Sequence, residues 1–247
     1  MQRQRIDHEP AYVLHARPFG DTSLLLEVFT AHHGRIGLIA KGARAPKSKK
    51  RALLQMLQPL LLSWRDSGEL GTLTAVEAVS QPVSLTGEPL FCAWYANELL
   101  IKLCSRHDPH PELFAAYAGL LLRLEHDAEA ALRAYERVLL DALGYGLALD
   151  DALDAEGDYA FDAAQGLRPA AARIPKQDGF AGASLIALRD DALHTPQQYL
   201  DARRLLRLAL APLLNGRVLD SAKLLRELRG LERGSVKSDS LAPSKAP

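Results

Sequence analysis

The stretch KGARAPKSKKR, residues 41–51, carries six cations in eleven residues and no acidic residue. Lysine and arginine at this density hold anions, above all the phosphates of a nucleic-acid backbone. The stretch has almost nothing apolar to bury, so a solvated loop without a ligand is the alternative reading. We expect a mobile cationic arm that binds nucleic acid by charge, indifferent to its sequence. The cations are Lys41, Arg44, Lys47, Lys49, Lys50 and Arg51.

A second basic set lies near the C-terminus, on two predicted helices. The first helix carries Arg203, Arg204 and Arg207, and the next carries Lys223, Arg226, Arg229 and Arg233. The last four recur at spacings of 3, 3 and 4, which places them along one side of a helix. The set predicts either a solvated helix face or a second surface for DNA or an acidic partner.

Two further arginines, Arg123 and Arg133, stand on apolar predicted helices within an acidic region. Arginines in such positions pair with neighbouring carboxylates, here Glu125, Glu129 or Glu136. An arginine beside an apolar groove can instead receive the carboxylate of an acidic peptide. The spacing alone leaves both readings open.

The formal net charge of zero hides a division along the chain. Residues 1–80 hold 11 Lys and Arg against 7 Asp and Glu, residues 81–200 hold 9 against 18, and residues 201–247 hold 10 against 5. The two ends are therefore expected to meet something anionic while the middle stays away from it.

Signals for catalysis are weak. The sequence contains no Walker-type phosphate loop, no His-Glu-x-x-His and no Gly-x-Ser-x-Gly, motifs that would indicate nucleotide, zinc or acyl chemistry. The pairs His32–His33 and His107/His110 lack a third ligand and are expected at the surface. Aspartates crowd residues 150–162 without the pattern of a calcium loop. We expect no enzyme.

Five short apolar, partly alternating segments precede residue 80 and predict β-strands. They are AYVLHAR (11–17), SLLLEVFT (23–30), RIGLIAKG (35–42), LQPLLLSW (57–64) and TLTAVEAV (72–79). The longest connection follows the third strand, the layout of a five-stranded OB-fold barrel, with another small barrel or sandwich as the alternative. Phe19 and Trp64 lie near predicted loops where they could stack on bases, whereas Phe29 is expected in the core.

From residue 86 the pattern changes to helical periodicity. Helices are predicted over 90–107, 112–126, 128–144, 183–189, 196–214 and 219–230. Pro111 can start the second, and Pro212 should end or kink the fifth. The fold class is α+β, an N-terminal OB-fold β-barrel followed by a mostly α-helical C-terminal domain.

The predicted domains are residues 1–82 for the barrel and 83–233 for the helices, with a disordered tail at 234–247. An irregular acidic insert at 147–182 is expected to hold a short hairpin around Tyr159–Phe161. Cys92 and Cys104 share one predicted helix too far apart to bridge, so both are expected to be buried free thiols. The sequence has no apolar run long enough for a signal peptide or a membrane span, so the expected location is cytoplasmic and nucleoid-associated.

Several of these segments together resemble the RecO family of bacterial recombination mediators. They are YVLHARPFGDTSLLLEVFT (12–30), HGRIGLIAKGAR (33–44), LQPLLLSW (57–64), WYANELL (94–100) and LRAYERVLLDALGYGL (132–147). The resemblance implies an OB-fold and a helical domain that bind single- and double-stranded DNA and anneal complementary strands. It also implies action with RecR to help RecA displace single-strand-binding protein, whose acidic C-terminal tail the helical domain binds.

By the same resemblance, Arg35 and the six cations of residues 41–51 are candidate DNA contacts, and Arg133 is a candidate for the acidic tail. Some family members hold zinc with four cysteines in the segment matching residues 147–182, which has none here. We therefore expect no zinc. The rival interpretation is a protein–protein adaptor for an acidic peptide, with DNA binding incidental.

Overall fold

The structure of the protein is a computed structural model, and it describes residues 5–66, 68–170, 179–224 and 227. Some predictions concern other residues: the placements of Arg226, Arg229 and Arg233, and the disorder of the tail 234–247, lie outside the described set. The same holds for residues 171–178 of the acidic insert.

Five strands form a closed barrel in the order β1-β2-β3-β5-β4. They are β1 (Arg5–Phe19), β2 (Ser23–Thr30), β3 (Gly34–Ala40), β4 (Leu60–Arg65) and β5 (Leu70–Ala78). β3 and β5 pair in parallel, and the other neighbours are antiparallel. The predicted OB-fold is confirmed, with its interruption after the third strand. That interruption also contains a four-residue helix, α1 (Lys50–Leu53), which the sequence pattern did not predict.

Successive side chains of the strands face two different cores, as the pleat of a β-strand requires. Val13 and Val28 belong to the barrel interior together with Trp64, which is only 3% exposed. The prediction that Trp64 stacks on bases is therefore wrong, because its ring is enclosed by the barrel. Tyr12 and Phe29 point outward and join the core of the helices. The buried position expected for Phe29 is confirmed.

Five helices of the helical part lie wholly within the described residues. They are α2 (Gly87–Leu103), α3 (Pro111–Arg123), α4 (Ala128–Ala142), α5 (Gly182–Arg189) and α6 (Pro196–Leu214). Pro111 starts α3 as predicted, and Thr195 forms a capping box with Gln198 at the start of α6. Pro212 stands in the last turn of α6, which ends two residues later at Leu214 and is followed by a left-handed Asn215.

The barrel contacts the helices through hydrogen bonds of Asn97 and through a cluster of packed aromatic rings. The Asn97 amide donates to the backbone oxygen of Leu14 at 3.1 Å and accepts from the Tyr117 hydroxyl at 2.5 Å. The Tyr12 ring lies 5.1 Å from that of Tyr117, edge to face, and Phe29 lies 5.6 Å from Phe114. Because these groups are buried, the outer face of β1 and β2 and the helices share one core.

The acidic insert is more regular than the sequence suggested. β6 (Asp158–Asp162), β7 (Gly166–Pro169) and β8 (Phe180–Ala181) form a three-stranded sheet in the order β7-β6-β8. The predicted hairpin is confirmed, since β6 and β7 pair antiparallel. Asp150, Asp154 and Asp162 accept hydrogen bonds from nearby backbone amides, so they shape turns.

Two further findings concern the described ranges alone. No group of three or more His, Cys, Asp and Glu side chains is placed there to hold a metal ion. No helix within them is long and apolar enough to cross a membrane. Cys92 and Cys104 are buried and form no disulfide, as predicted, and burial raises the pKa of Cys104 to about 11.

Candidate nucleic-acid interface

Residues 41–51, hereafter the basic segment, leave β3 and pass beside the turn between β1 and β2. The backbone amide of Arg44 donates to the Thr22 carbonyl at 2.7 Å, and its guanidinium donates to the Gly20 carbonyl at 3.2 Å. These bonds hold the start of the segment against the barrel. Its last two residues open α1. The start of the segment is therefore bonded to the barrel, and its mobility between Arg44 and α1 stays a prediction.

The charges of the basic segment face solvent. Lys41, Arg44, Lys47, Lys49 and Arg51 are exposed, and Lys50 is half-buried. None of the six is placed within ion-pair distance of a carboxylate in the described part of the chain. Charges held this way keep their counterions, and exchanging those counterions for phosphates is the main source of affinity for nucleic acid.

Arg35 is placed quite differently from the basic segment. Its side chain is only 14% exposed and donates to Glu27 at 2.8 Å and to the Cys104 carbonyl at 3.1 Å. Arg106 also bonds to Glu27. Arg35 therefore links β3 to the end of α2, and this placement argues against the DNA contact predicted for it. Its guanidinium is already used inside the protein.

The C-terminal cations divide into paired and unpaired groups. Arg203 forms two hydrogen bonds to Glu129, at 2.8 and 3.0 Å. Arg204 bonds to the Gly179 carbonyl and lies over the Phe180 ring, 4.3 Å from its centroid. Arg207 and Lys223 are exposed and pair with no carboxylate among the residues that the structure places. The second basic set is thus reduced to Arg207 and Lys223, with Arg226 outside the described residues.

Arg133 lies inside the helical core, and only 7% of its side chain is exposed. It pairs with Glu136 at 2.7 Å and with Glu129 at 3.5 Å, while the Tyr95 hydroxyl donates to Glu136 at 2.7 Å. Burial raises the pKa of Glu136, and the guanidinium opposes that shift. An arginine enclosed in this way cannot meet a partner's carboxylates at the surface, so the placement argues against the predicted role of Arg133.

Arg123 remains at the surface, but it is paired. Its guanidinium forms two hydrogen bonds to Asp191, at 2.5 and 3.0 Å. A groove of about 430 Å³ opens nearby along α6, and we call it the α6 groove. It is lined by Glu129, Pro196, Tyr199, Leu200 and Arg203. Sequence reasoning assigned Arg203 to DNA and did not connect it with this groove.

Sequence reasoning also did not place Arg17 and Phe19 together as one exposed edge of the barrel. Both are exposed at the end of β1, next to the turn to which Arg44 is bonded. A single arginine in a strand carries no signal of its own. The alternation of His15, Arg17 and Phe19, all exposed, is the pattern that could have located this edge of the barrel.

Comparison with known proteins decides the family. The model described as "Recombination protein O N terminal" matches residues 2–82, and "Recombination protein O C terminal" matches residues 85–176. The DNA repair protein RecO of Methylococcus capsulatus is 45% identical over 232 residues, covering 91% of this chain and 94% of that protein. The chain belongs to the RecO family.

Other RecO proteins have similar sequence identity to this chain over similar lengths. The one from Paraburkholderia xenovorans is 43% identical over 235 residues, or 92% of this chain and 79% of the relative. The one from Aromatoleum aromaticum is 38% identical over 239 residues, or 93% and 99%. The break between the two RecO family models falls between β5 and α2. The exposed cations of the basic segment therefore stand on the barrel of a DNA repair protein.

Proposed function

We propose that this chain binds single- and double-stranded DNA, anneals complementary strands and, with RecR, helps to load RecA onto DNA covered by single-strand-binding protein. The observation that supports the proposal most directly is the set of solvent-facing cations on the basic segment. The chain's membership in a family of DNA repair proteins supports the same reading. We propose that the chain does this without catalysis, and we expect no strand cleavage in magnesium or manganese.

The proposed mechanism of annealing is electrostatic. Two single strands repel each other through their phosphates, and this repulsion slows pairing. A surface carrying Lys47, Lys49, Lys50 and Arg51 lowers the repulsion when it neutralises both backbones at once. Arg17 and Arg44, beside the β1–β2 turn, extend this surface along the barrel. Such contacts favour no base sequence, so any complementary pair of strands is a substrate.

The experiment is a strand-annealing assay with two complementary labelled oligonucleotides. The full chain should pair them faster than the spontaneous reaction, and replacing Lys47, Lys49, Lys50 and Arg51 with Ala should remove most of the acceleration. As a control, Arg5→Ala/Arg65→Ala removes two exposed cations at the opposite end of β1. If the quadruple variant anneals as fast as the wild type, the proposed site is wrong.

A second candidate function, binding of an acidic peptide, is favoured by the α6 groove. Leu200 is an exposed apolar residue there, and Arg203 is 38% exposed beside Glu129. A peptide that carries carboxylates next to apolar side chains can compete with Glu129 for the guanidinium while it covers Leu200. The resemblance to the RecO family implies binding of the acidic C-terminal tail of single-strand-binding protein, which would supply such carboxylates. We therefore propose Arg203, with Arg123 nearby, as its contact.

The variant Arg203→Ala separates the two functions. We expect it to weaken binding of a fluorescent acidic tail peptide at least about tenfold, since bonds to charged groups contribute about 1.5–3 kcal/mol. It should still anneal naked strands at the wild-type rate. Arg168→Ala, an exposed arginine on β7, is the matched control. Unchanged peptide affinity in Arg203→Ala would contradict the assignment, and collapse of annealing would mean that both functions share one surface.

A further inference from the structure

A second groove lies between the barrel and the first turns of α2, directly after the basic segment. We call it the barrel groove, and its volume is about 490 Å³. It is lined by His15, Ala16, Leu54, Gln55, Met56, Leu57, Leu90 and Trp94. A bridge between Val13 and Met56 fixes the chain after α1 against β1, so one wall of the groove is held by backbone pairing.

The lining is apolar and aromatic, with a few polar groups. Trp94 is half-buried and is held edge to face against Phe91, with the ring centroids 5.4 Å apart. The Met56 side chain is apolar, yet 39% of the residue is exposed to solvent. Two polar residues, His15 and Gln55, also line this groove. An indole ring, a thioether and an amide form a surface on which a flat heteroaromatic ring can stack and find hydrogen bonds.

The charges around the barrel groove indicate which flat ring it receives. None of its eight lining residues is acidic, and its wall at Leu54 begins three residues after Arg51. Three residues span at most about 11 Å, so phosphates held on Lys50 and Arg51 lie within reach of the groove mouth. Arg17, two residues beyond His15 on β1, is exposed at the same edge. Cations beside an aromatic groove are the combination that single-stranded nucleic acid requires.

We propose that the barrel groove receives one or two unpaired bases of single-stranded DNA, with Trp94 stacking on a base while the basic segment holds the adjoining phosphates. This inference rests on the proposed function and adds a base-binding site to it. Bases within a duplex are stacked on each other and cannot enter the groove. Single strands should therefore gain affinity from the groove, whereas duplexes use the cations alone.

The experiment compares an oligothymidine with an abasic strand of equal length, which has the same phosphates and no bases. Tryptophan emission of the full chain should be quenched by the oligothymidine and not by the abasic strand. The signal comes from Trp94, because Trp64, the second of the two tryptophans, is enclosed by the barrel. The oligothymidine should bind about fivefold or more tightly than the abasic strand, the range of one base stacked on an aromatic ring.

Trp94→Leu should abolish the quenching and bring the oligothymidine to the affinity of the abasic strand, while abasic binding stays unchanged. Met56→Gln, at an exposed position that tolerates a polar group, should reduce the preference for bases. Tyr145→Leu is the matched control, because this exposed aromatic residue lines a different groove. The Tyr145→Leu variant should bind the oligothymidine and the abasic strand with the wild-type affinities.

The outcomes distinguish this inference from the proposed function. If both strands bind equally and tryptophan emission does not change, the base site is wrong and DNA binding by the basic segment stands. If neither strand binds, both proposals fail. If an acidic peptide quenches Trp94 and the oligothymidine does not, the groove is a peptide site and the inference is overturned.

Discussion

Removal of the charges on the basic segment should change the salt dependence of DNA affinity more clearly than the affinity at any one salt concentration. Each phosphate contact on a single strand contributes a slope of about 0.7 to the fall of log affinity with log salt. At about 0.2 M salt, one contact therefore contributes about threefold in affinity, two about tenfold and four about a hundredfold. Lys47, Lys49, Lys50 and Arg51 have no carboxylate within ion-pair distance in the described part of the chain, so these contributions should appear in full.

The assay is a fluorescence anisotropy titration of a labelled oligothymidine with the full chain over a series of salt concentrations. Lys49→Ala/Arg51→Ala should lose about tenfold in affinity near 0.2 M salt and about 1.4 in slope, as expected for two contacts. The quadruple variant, which also lacks Lys47 and Lys50, should lose up to about 2.8 in slope.

The control for this series is Arg5→Ala/Arg65→Ala, which removes equal charge from two exposed residues paired at the far end of β1. Its slope should stay within experimental error of the wild type. Equal losses of slope in the two double variants would show that net charge, rather than the basic segment, sets the affinity. An unchanged slope in the quadruple variant would refute the reasoning altogether.

Three further predictions concern the core. Arg133→Ala should lower the free energy of unfolding by about 3–5 kcal/mol in a urea titration, because it leaves Glu136 buried without its main partner; a loss below about 1 kcal/mol would contradict the buried pair. Asn97→Ala should cost about 2 kcal/mol in the same titration, since a backbone carbonyl and a tyrosine hydroxyl lose their bonds; Gln55→Ala, an exposed amide, is its control. Cys104, with its raised pKa, should react with iodoacetamide at pH 8 far more slowly than free cysteine until the chain is unfolded.

The strands of the barrel could be predicted because, along each of them, apolar residues that face a core alternate with residues that face away from it. The prediction failed where that pattern ends: β1 begins at Arg5, six residues before the expected start, in a stretch that is mostly polar. α1 has four residues and none of them is buried, so no apolar period marks it. Short elements of this kind depend on what surrounds them and leave no signal in composition.

Which cations are free could not be read from the sequence, because the pairing partners come from distant parts of the chain. Arg203 meets Glu129, 74 residues away, and Arg123 meets Asp191, 68 residues away. Arg35 is different, since the hairpin of β2 and β3 places it opposite Phe29 and diagonal to Glu27. That pair could have been predicted from the register of the hairpin.

The charge division along the sequence acquires a physical meaning once these pairs are known. In the acidic middle, many carboxylates cap turns or pair with arginines, as Asp191 does with Arg123 and Glu129 with Arg203. The basic segment has no described acidic neighbour that could do the same to its lysines. Pairing therefore neutralises several cations in the middle of the chain, whereas those of the basic segment stay available on the barrel. A DNA strand approaching this protein should be oriented toward the barrel before any base reaches the barrel groove.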